Sequence, residues 1–349
     1  MGRVDEGSIY NPDMAKNYKR ACRNWFTVWM LLFALLFSDQ AATALGVVAP
    51  SSLNGFIVDH SSVDSTDTII PQAYLTAGSN LNIVFNHQSI GRNIMVGLDQ
   101  LKTINYDRYY IDLRGTDATV AWFATHHGIG SYTIGTNGDP DSKINGFDNL
   151  MRNGYGDVVQ FAMTKLGVFD MTYDPALIWD KYRNTYLSLQ AAYPKVTFIW
   201  FTLPVKTTND ANVNKYNTLV RKYIAANVAS NVILYDIADI EADGIRSVDA
   251  QGNITSEVMN SNYSHDGIHL NDTGMRRAAR ALWWLMARLA GWSPSGTPTP
   301  PNTPVPTGTP RATGTATPSS TPTQTATATL AGTPIEPPRP RVWLPVILK

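Results

Sequence analysis

A three-layer α/β/α domain around a mainly parallel sheet of five strands is the fold class that this sequence predicts. Short, nearly continuous apolar runs alternate along the chain with longer amphipathic runs. That alternation is typical of parallel strands covered by helices on both faces. The only cysteine among the 349 residues is Cys22, which excludes a disulfide framework or a thiolate metal cluster. The expected strand order is flavodoxin-like.

Apolar runs and helical spacing give the elements in order. The five predicted strands are 81–85, 109–113, 157–162, 196–201 and 231–235. Apolar residues at helical spacing predict helices over 94–101, 176–192, 211–228 and 272–289. Asp272 or Thr273 is the expected N-cap of the last helix. Because ligands bind at the carboxyl ends of parallel strands, the segments that follow the strands are the place to look for chemistry.

The N-terminal segment is typical of a secretory signal peptide. Basic residues precede the apolar run Trp25–Phe37, and residues 42–44 (Ala-Thr-Ala) match a small-x-small cleavage site. The apolar run is shorter than the ~20 residues that a membrane-spanning helix needs, which disfavours the alternative of a membrane anchor. We therefore predict a signal peptide over 1–44, an N-terminal extension over 45–69, and a secreted or cell-surface protein.

The C-terminal part is predicted to be a stalk that ends in a short tag. Most of the 21 prolines lie beyond residue 292, largely interleaved with threonine. Such a composition cannot bury a core and favours an extended, disordered chain. We predict a Thr/Pro-rich stalk over 293–340 and an apolar tag over 341–349, a candidate for cell-surface attachment. The folded domain is then expected to span 70–292.

The charge balance excludes one class of partner. Lys+Arg and Asp+Glu each number 28, so the formal net charge is zero. A neutral chain lacks the basic surface that binds nucleic acid, and we predict no nucleic-acid partner.

Two segments carry candidate chemistry. Ser89 follows the first predicted strand and precedes a helix, where a hydroxyl can be exposed and backbone N–H groups converge. A serine at such a place is most often a helix cap. The second segment, Asp266-Gly-Ile-His269, directly precedes the last helix. A serine nucleophile needs a base, and that base needs an orienting acceptor; His269 and Asp266 offer both.

This arrangement resembles the SGNH/GDSL hydrolases over about residues 80–290. In that family the nucleophilic serine follows the first strand, and an Asp-x-x-His block precedes the last helix. The resemblance implies that Ser89 is the nucleophile, His269 the general base and Asp266 its orienting carboxylate. It also implies a three-layer α/β/α fold and ester hydrolysis on lipids or acylated carbohydrates without a metal.

The chain departs from the family pattern at two places. Its first block is His87-Gln88-Ser89 rather than Gly-Asp-Ser, and it looks most like a divergent bacterial branch with a His-x-Ser-x-Gly block. No Gly-x-Asn-Asp follows the third predicted strand, so the side-chain oxyanion donor is unassigned. The glycine-rich loop 135–140 is the candidate for that role, although an ordinary turn is the alternative. The oxyanion or substrate candidates are Gly91, Gly135, Asn137 and Gly138.

Three other interpretations of the sequence are possible. An α/β-hydrolase is disfavoured because the first glycine of its G-x-S-x-G elbow is missing here. An acid only three residues from the histidine also favours the SGNH pattern over that fold. The histidines show no metal-ligand spacing, so we predict no metal and no cofactor; they are His60, His87, His126, His127, His265 and His269. The function predicted is an exported serine esterase or acylhydrolase acting on a small-molecule or carbohydrate ester. A non-catalytic glycan-binding module on the same fold is the alternative.

Overall fold

Seven parallel strands form the central sheet of the computed structural model, which describes residues 55–63, 66–230 and 232–294. The strands are β1 (Phe56–Val58), β2 (Asn82–Asn86), β3 (Leu113–Arg114), β4 (Gly128–Tyr132), β5 (Phe161–Thr164), β6 (Thr197–Phe201) and β7 (Ile233–Tyr235). Their spatial order is β1-β7-β6-β5-β2-β4-β3. An antiparallel ribbon of β8 (Arg246–Val248) and β9 (Ile254–Glu257) lies outside this sheet.

The predicted fold class is confirmed, with seven strands in place of five. The inner strands β4-β2-β5-β6-β7 reproduce the flavodoxin-like order. The position beside β2 is taken by β4, which the sequence analysis missed, and not by the predicted strand 109–113. That segment contributes only Leu113 to the edge strand β3, because residues 106–109 form a helical turn capped by Asn105.

The sheet also begins earlier than predicted. Strand β1 pairs with β7 in parallel register, Ile57 opposite Leu234. The strand lies inside the predicted extension 45–69, so residue 70 is not the boundary of the folded unit. The predicted signal peptide, the tag and the stalk beyond residue 294 lie outside the described residues.

Six longer helices cover the sheet. They are α1 (Gln72–Ser79), α2 (Ile90–Ile104), α3 (Pro140–Arg152), α4 (Pro175–Ala192), α5 (Ala211–Asn227) and α6 (Asp272–Leu289). Shorter α-helical turns lie at His60–Val63, Thr66–Ile69, Tyr106–Tyr109, Val120–Phe123 and Ile237–Glu241. Among the described helices, none has the combination of length and apolar character needed to cross a bilayer.

Two helix starts differ from expectation. The side chain of Asn271, not Asp272 or Thr273, caps α6 by accepting from the N–H groups of Thr273 (3.0 Å) and Gly274 (3.1 Å). Helix α3 was not predicted, because its Asp-Pro start resembles a turn; the Asp139 side chain instead caps the helix.

Alternating side chains divide the core between the two faces of the sheet. Phe85, Phe201 and Tyr235 stack in a row on one face, and the Tyr235 hydroxyl donates to Ala278 O on α6 at 2.6 Å. Trp200, the neighbour of Phe201, points to the opposite face and packs against Tyr186 of α4. Helices α1, α2 and α6 therefore form one layer, and α3, α4 and α5 form the other.

Candidate active site

Ser89 occupies a strained turn between β2 and α2. Its backbone has φ 52° and ψ −114°, and its hydroxyl does not cap the helix. A positive φ costs a non-glycine residue ~1–3 kcal/mol, and such strain clusters at functional sites. The side chain is half-buried. The turn thus holds a serine hydroxyl at the carboxyl edge of the sheet, with no hydrogen-bond partner among the described residues.

The residues around Ser89 close this turn tightly. A Cβ at Gly91 would lie 2.3 Å from the Cβ of His87, so only glycine lets the first turn of α2 come so near the end of β2. The Gly91 N–H already donates to Gln88 O at 3.0 Å. The structure therefore gives Gly91 a packing role, with its N–H group engaged.

His87 is a buried structural histidine. Its Nε2 lies 2.7 Å from Ser131 Oγ on β4. Burial, together with the nearby charges of Lys165 and Arg92, lowers the pKa of His87 to about 3. The ring is consequently neutral at ordinary pH.

Asp266 and His269 form a hydrogen-bonded pair within one turn of chain. His269 Nδ1 lies 2.7 Å from Asp266 Oδ2, while Asp266 Oδ1 accepts from the N–H groups of His269 (2.6 Å) and Ile268 (2.9 Å). These bonds hold the pKa of Asp266 well below its usual range. Asp266 therefore stays ionised and fixes the imidazole through Nδ1.

The Asp-x-x-His loop is tied to the helix that begins after Ser89. Leu270 N–H donates to Asn93 Oδ1 at 3.2 Å, and Asn93 N–H donates to Ser89 O at 3.2 Å. The loop is also held from within, because Ser264 Oγ donates to His269 O at 2.8 Å. Asn93 is thus hydrogen-bonded both to Ser89 and to Leu270, the residue that follows His269.

The hydroxyl and the imidazole are both available for chemistry. Within the described parts of the chain, neither Ser89 Oγ nor His269 Nε2 has a hydrogen-bond partner. The predicted bond between the two groups is therefore not formed in this structure. Catalytic hydrogen bonds are often long in unliganded enzymes and tighten when substrate binds.

The glycine-rich loop 135–140 contacts the Ser89 turn through Gln88. Gln88 Nε2 donates to Gly135 O, and Gly135 has φ +90°, which favours glycine. Gly138 N–H is engaged, because it donates to Asp170 Oδ1 at 2.9 Å. Asn137 Oδ1 accepts from Lys143 Nζ at 2.8 Å, which leaves its Nδ2 group without a partner among the described residues. Asn137 Nδ2 is thus the candidate side-chain donor of this loop, whereas the N–H groups of Gly91 and Gly138 are engaged.

Two buried titratable groups near the carboxyl ends of β5 and β7 are not predictable from the sequence pattern alone. Burial lowers the pKa of Lys165, whose Nζ donates to Leu166 O at 3.1 Å, to about 7. Burial raises the pKa of Glu241, whose Oε2 accepts from Val205 N at 2.7 Å, to about 8. The available signal was a lysine directly after the apolar run of β5.

A carboxylate–histidine cluster lies at the ends of β1 and β7. Ligand atoms of Asp59, His60 and Asp239 lie within 4.8 Å of one another. Asp239 Oδ2 is bonded to His60 Nδ1 and its Oδ1 to Arg246, each at 2.5 Å. The arginine supplies the positive charge that this buried carboxylate needs, so the cluster is explained as an ion network.

The remaining histidines are His126, His127 and His265. His126 and His127 precede β4, at the opposite end of the sheet from Ser89, where His126 stacks on Trp122 and His127 Nδ1 lies 2.9 Å from Asn82 Oδ1. His265 is exposed, 3.8 Å from Asp266.

Neither family models nor curated proteins match the chain. Among solved structures it is similar to a carbohydrate esterase family 3 protein from Talaromyces cellulolyticus (13% identity, TM-score 0.40, 60% of this chain and 98% of that chain). It is also similar to a family 3 carbohydrate esterase from Clostridium thermocellum (15%, 0.37, 60% and 99%). A third is a lipolytic protein of the G-D-S-L family from Desulfitobacterium hafniense (11%, 0.37, 58% and 98%). Likenesses this low do not transfer an activity, so function rests on the geometry of the chain itself.

Proposed function

We propose that the chain is a serine esterase that cleaves a carboxylic ester through an acyl-enzyme. The observation that carries the proposal is the His269–Asp266 pair. Its Nδ1 is held at 2.7 Å, its Nε2 has no partner among the described residues, and its loop is bonded to the helix that begins after Ser89. A serine nucleophile needs an oriented base. The Asp266–His269 pair supplies one.

Each residue has a defined step. His269 Nε2 takes the proton of Ser89 as Oγ attacks the ester carbon, and the imidazolium then gives that proton to the departing alkoxide. The same nitrogen then takes a proton from a water, whose oxygen attacks the acyl carbon. The bond from that carbon to Ser89 Oγ breaks, the acid leaves, and the imidazolium returns the proton to Oγ. Asp266 stays ionised throughout and stabilises the imidazolium.

The oxyanion that forms when Ser89 attacks needs hydrogen-bond donors. The candidates are the backbone N–H groups of Ser89 and Gly135 and the side-chain Nδ2 of Asn137. Because Lys143 Nζ holds Asn137 Oδ1, the amide is already oriented before substrate arrives. Orientation in advance is what makes such donors effective.

An acylated carbohydrate or a small ester is the proposed substrate, acted on outside the cell. Phe169 and Tyr173 are exposed on the segment after β5, and that segment bonds to the loop 135–140 through Asp170. Exposed aromatic rings beside a polar site suit a ligand with both apolar and polar faces. Export is proposed on the sequence of residues 1–44 alone.

A panel of acetyl to octanoyl esters tests the proposal. The wild-type chain should hydrolyse at least one of them, and Ser89→Ala and His269→Ala should each remove nearly all turnover. His126→Ala, at the opposite end of the sheet, is the matched control and should leave the rate unchanged. Full activity in Ser89→Ala would contradict the proposal.

The absence of a Ser89–His269 hydrogen bond among the described residues favours one alternative, a non-catalytic glycan-binding module. That alternative predicts no turnover of any ester by the wild-type chain. It also predicts binding of oligosaccharides by calorimetry that Ser89→Ala leaves intact.

A further inference from the structure

We propose that the buried ion pair between Lys143 and Asp170 is a positioning device that sets the loop 135–138 as the oxyanion wall of the site. The inference rests on the proposed function and extends it to two residues that touch no substrate. Neither residue belongs to a motif, and the two are separated by one helix and one strand.

The pair is fully enclosed and fully bonded. Lys143 Nζ lies 2.7 Å from Asp170 Oδ2 and 3.0 Å from Oδ1, and the two side chains are 2% and 0% exposed. The third ammonium hydrogen goes to Asn137 Oδ1 at 2.8 Å. Every donor of the buried ammonium group is therefore used, as burial of a charge requires.

Asp170 joins two loops at the carboxyl edge of the sheet. Its Oδ1 accepts from Gly138 N–H at 2.9 Å, and its Oδ2 accepts from Gly167 N–H at 2.6 Å. Gly138 belongs to the loop after β4, and Gly167 to the loop after β5. The carboxylate thus connects the loops that follow β4 and β5, the two strands on either side of β2, and β2 leads into the Ser89 turn.

Lys143 also packs against the loop 135–138 through its backbone. Gly135 lies so close to Lys143 that a Cβ on it would come within 2.7 Å of the Lys143 backbone N and Cα. Gly135 O in turn accepts from Gln88 Nε2, next to Ser89. The ion pair, the loop and the nucleophile turn form one connected set of contacts.

Stability alone does not account for this pair. Replacing a buried ion pair with apolar groups of similar size is often neutral or stabilising, because desolvation offsets the attraction between the charges. The contacts made here go to Asn137 and Gly138 in the candidate oxyanion loop. Orientation of that loop is the property that the pair supplies and an apolar replacement would not.

The test is the double variant Lys143→Met/Asp170→Asn, which leaves no uncompensated buried charge. It should stay folded, while kcat on the best ester falls at least tenfold and KM changes less than about twofold, because oxyanion donors act in the transition state. Arg152→Met, which breaks the exposed pair with Asp148 on the same helix, is the control and should change neither value.

A double-mutant cycle separates positioning from a general structural effect. In an Asn137→Ala background the Lys143→Met/Asp170→Asn change should cost much less kcat than it does in the wild type, since both act through the same amide. Full additivity, or an unchanged kcat in the double variant, would overturn the inference.

Hydrogen exchange keeps this inference distinct from the proposed function. Backbone amides of 135–139 and 165–170 should exchange faster in the double variant and not in Arg152→Met. A wild-type chain that hydrolyses no ester contradicts the proposed function, and faster exchange confined to these loops would still support positioning. Unchanged exchange there would overturn positioning whatever the activity.

Discussion

Replacing Ser89 with glycine should make the protein more stable and inactive at once. The φ of 52° at Ser89 costs ~1–3 kcal/mol in a residue with a Cβ. Glycine removes that cost but gives back ~0.5–1 kcal/mol through the greater freedom of the unfolded chain. The expected net gain is about 1 kcal/mol, or ~2–4 °C in Tm for a domain of this size.

Ser89→Ala is the control that isolates the backbone. Alanine removes the same hydroxyl but keeps the Cβ and therefore the strain, so its Tm should stay near that of the wild type. Differential scanning calorimetry on the three proteins measures the effect, and an ester assay confirms that both variants are inactive. If Ser89→Gly melts at or below Ser89→Ala, the turn is not strained and the reasoning fails.

Three further predictions concern Gly91, Glu241 and Asp266. Gly91→Ala should destabilise the fold by about 1–3 kcal/mol through its clash with His87, as measured by urea unfolding, whereas Gly115→Ala, with only one atom 3.6 Å away, should not. Because burial raises the pKa of Glu241 from 4.5 to about 8, its unfolded-state carboxyl ionises first and wild-type stability should fall as the pH rises between these values. Glu241→Gln should therefore gain Tm relative to the wild type at pH 8 but not at pH 4, and parallel pH profiles would contradict this. Asp266→Asn should lower kcat by ~10²-fold or more with little change in Tm, and a chelator should leave wild-type turnover unchanged; a loss of activity restored by added metal would count against the mechanism.

The central strands were predictable where their residues are apolar. Runs such as 81–85 and 196–201 carry the pattern of strands buried on both faces, and both are strands in the structure. Strand β4 was missed because two of its five residues are glycine. At Gly130 a Cβ would lie 2.8 Å from the ring of Phe123, so the residue that makes room for packing also removes the strand signal.

The candidate site divides in the same way between local and distant contacts. The hydrogen bond of Asp266 to His269 depends on a spacing of three residues, which a sequence displays directly. The Lys143–Asp170 pair joins residues 27 positions apart, one in helix α3 and the other in the segment after β5. No periodicity brings those residues together, and a lone lysine in an amphipathic helix is ordinarily exposed. Only the folded structure shows that Lys143 and Asp170 are in contact.

Covalent labelling tests most directly whether Ser89 is a nucleophile activated by His269. The wild-type protein is treated with a fluorophosphonate, which phosphonylates activated serines, and the modified peptide is identified by mass spectrometry. One adduct on Ser89 is expected, absent in Ser89→Ala, at least 100-fold slower in His269→Ala, and unaffected by chelator. No adduct on Ser89, or labelling at the same rate without His269, would contradict the account.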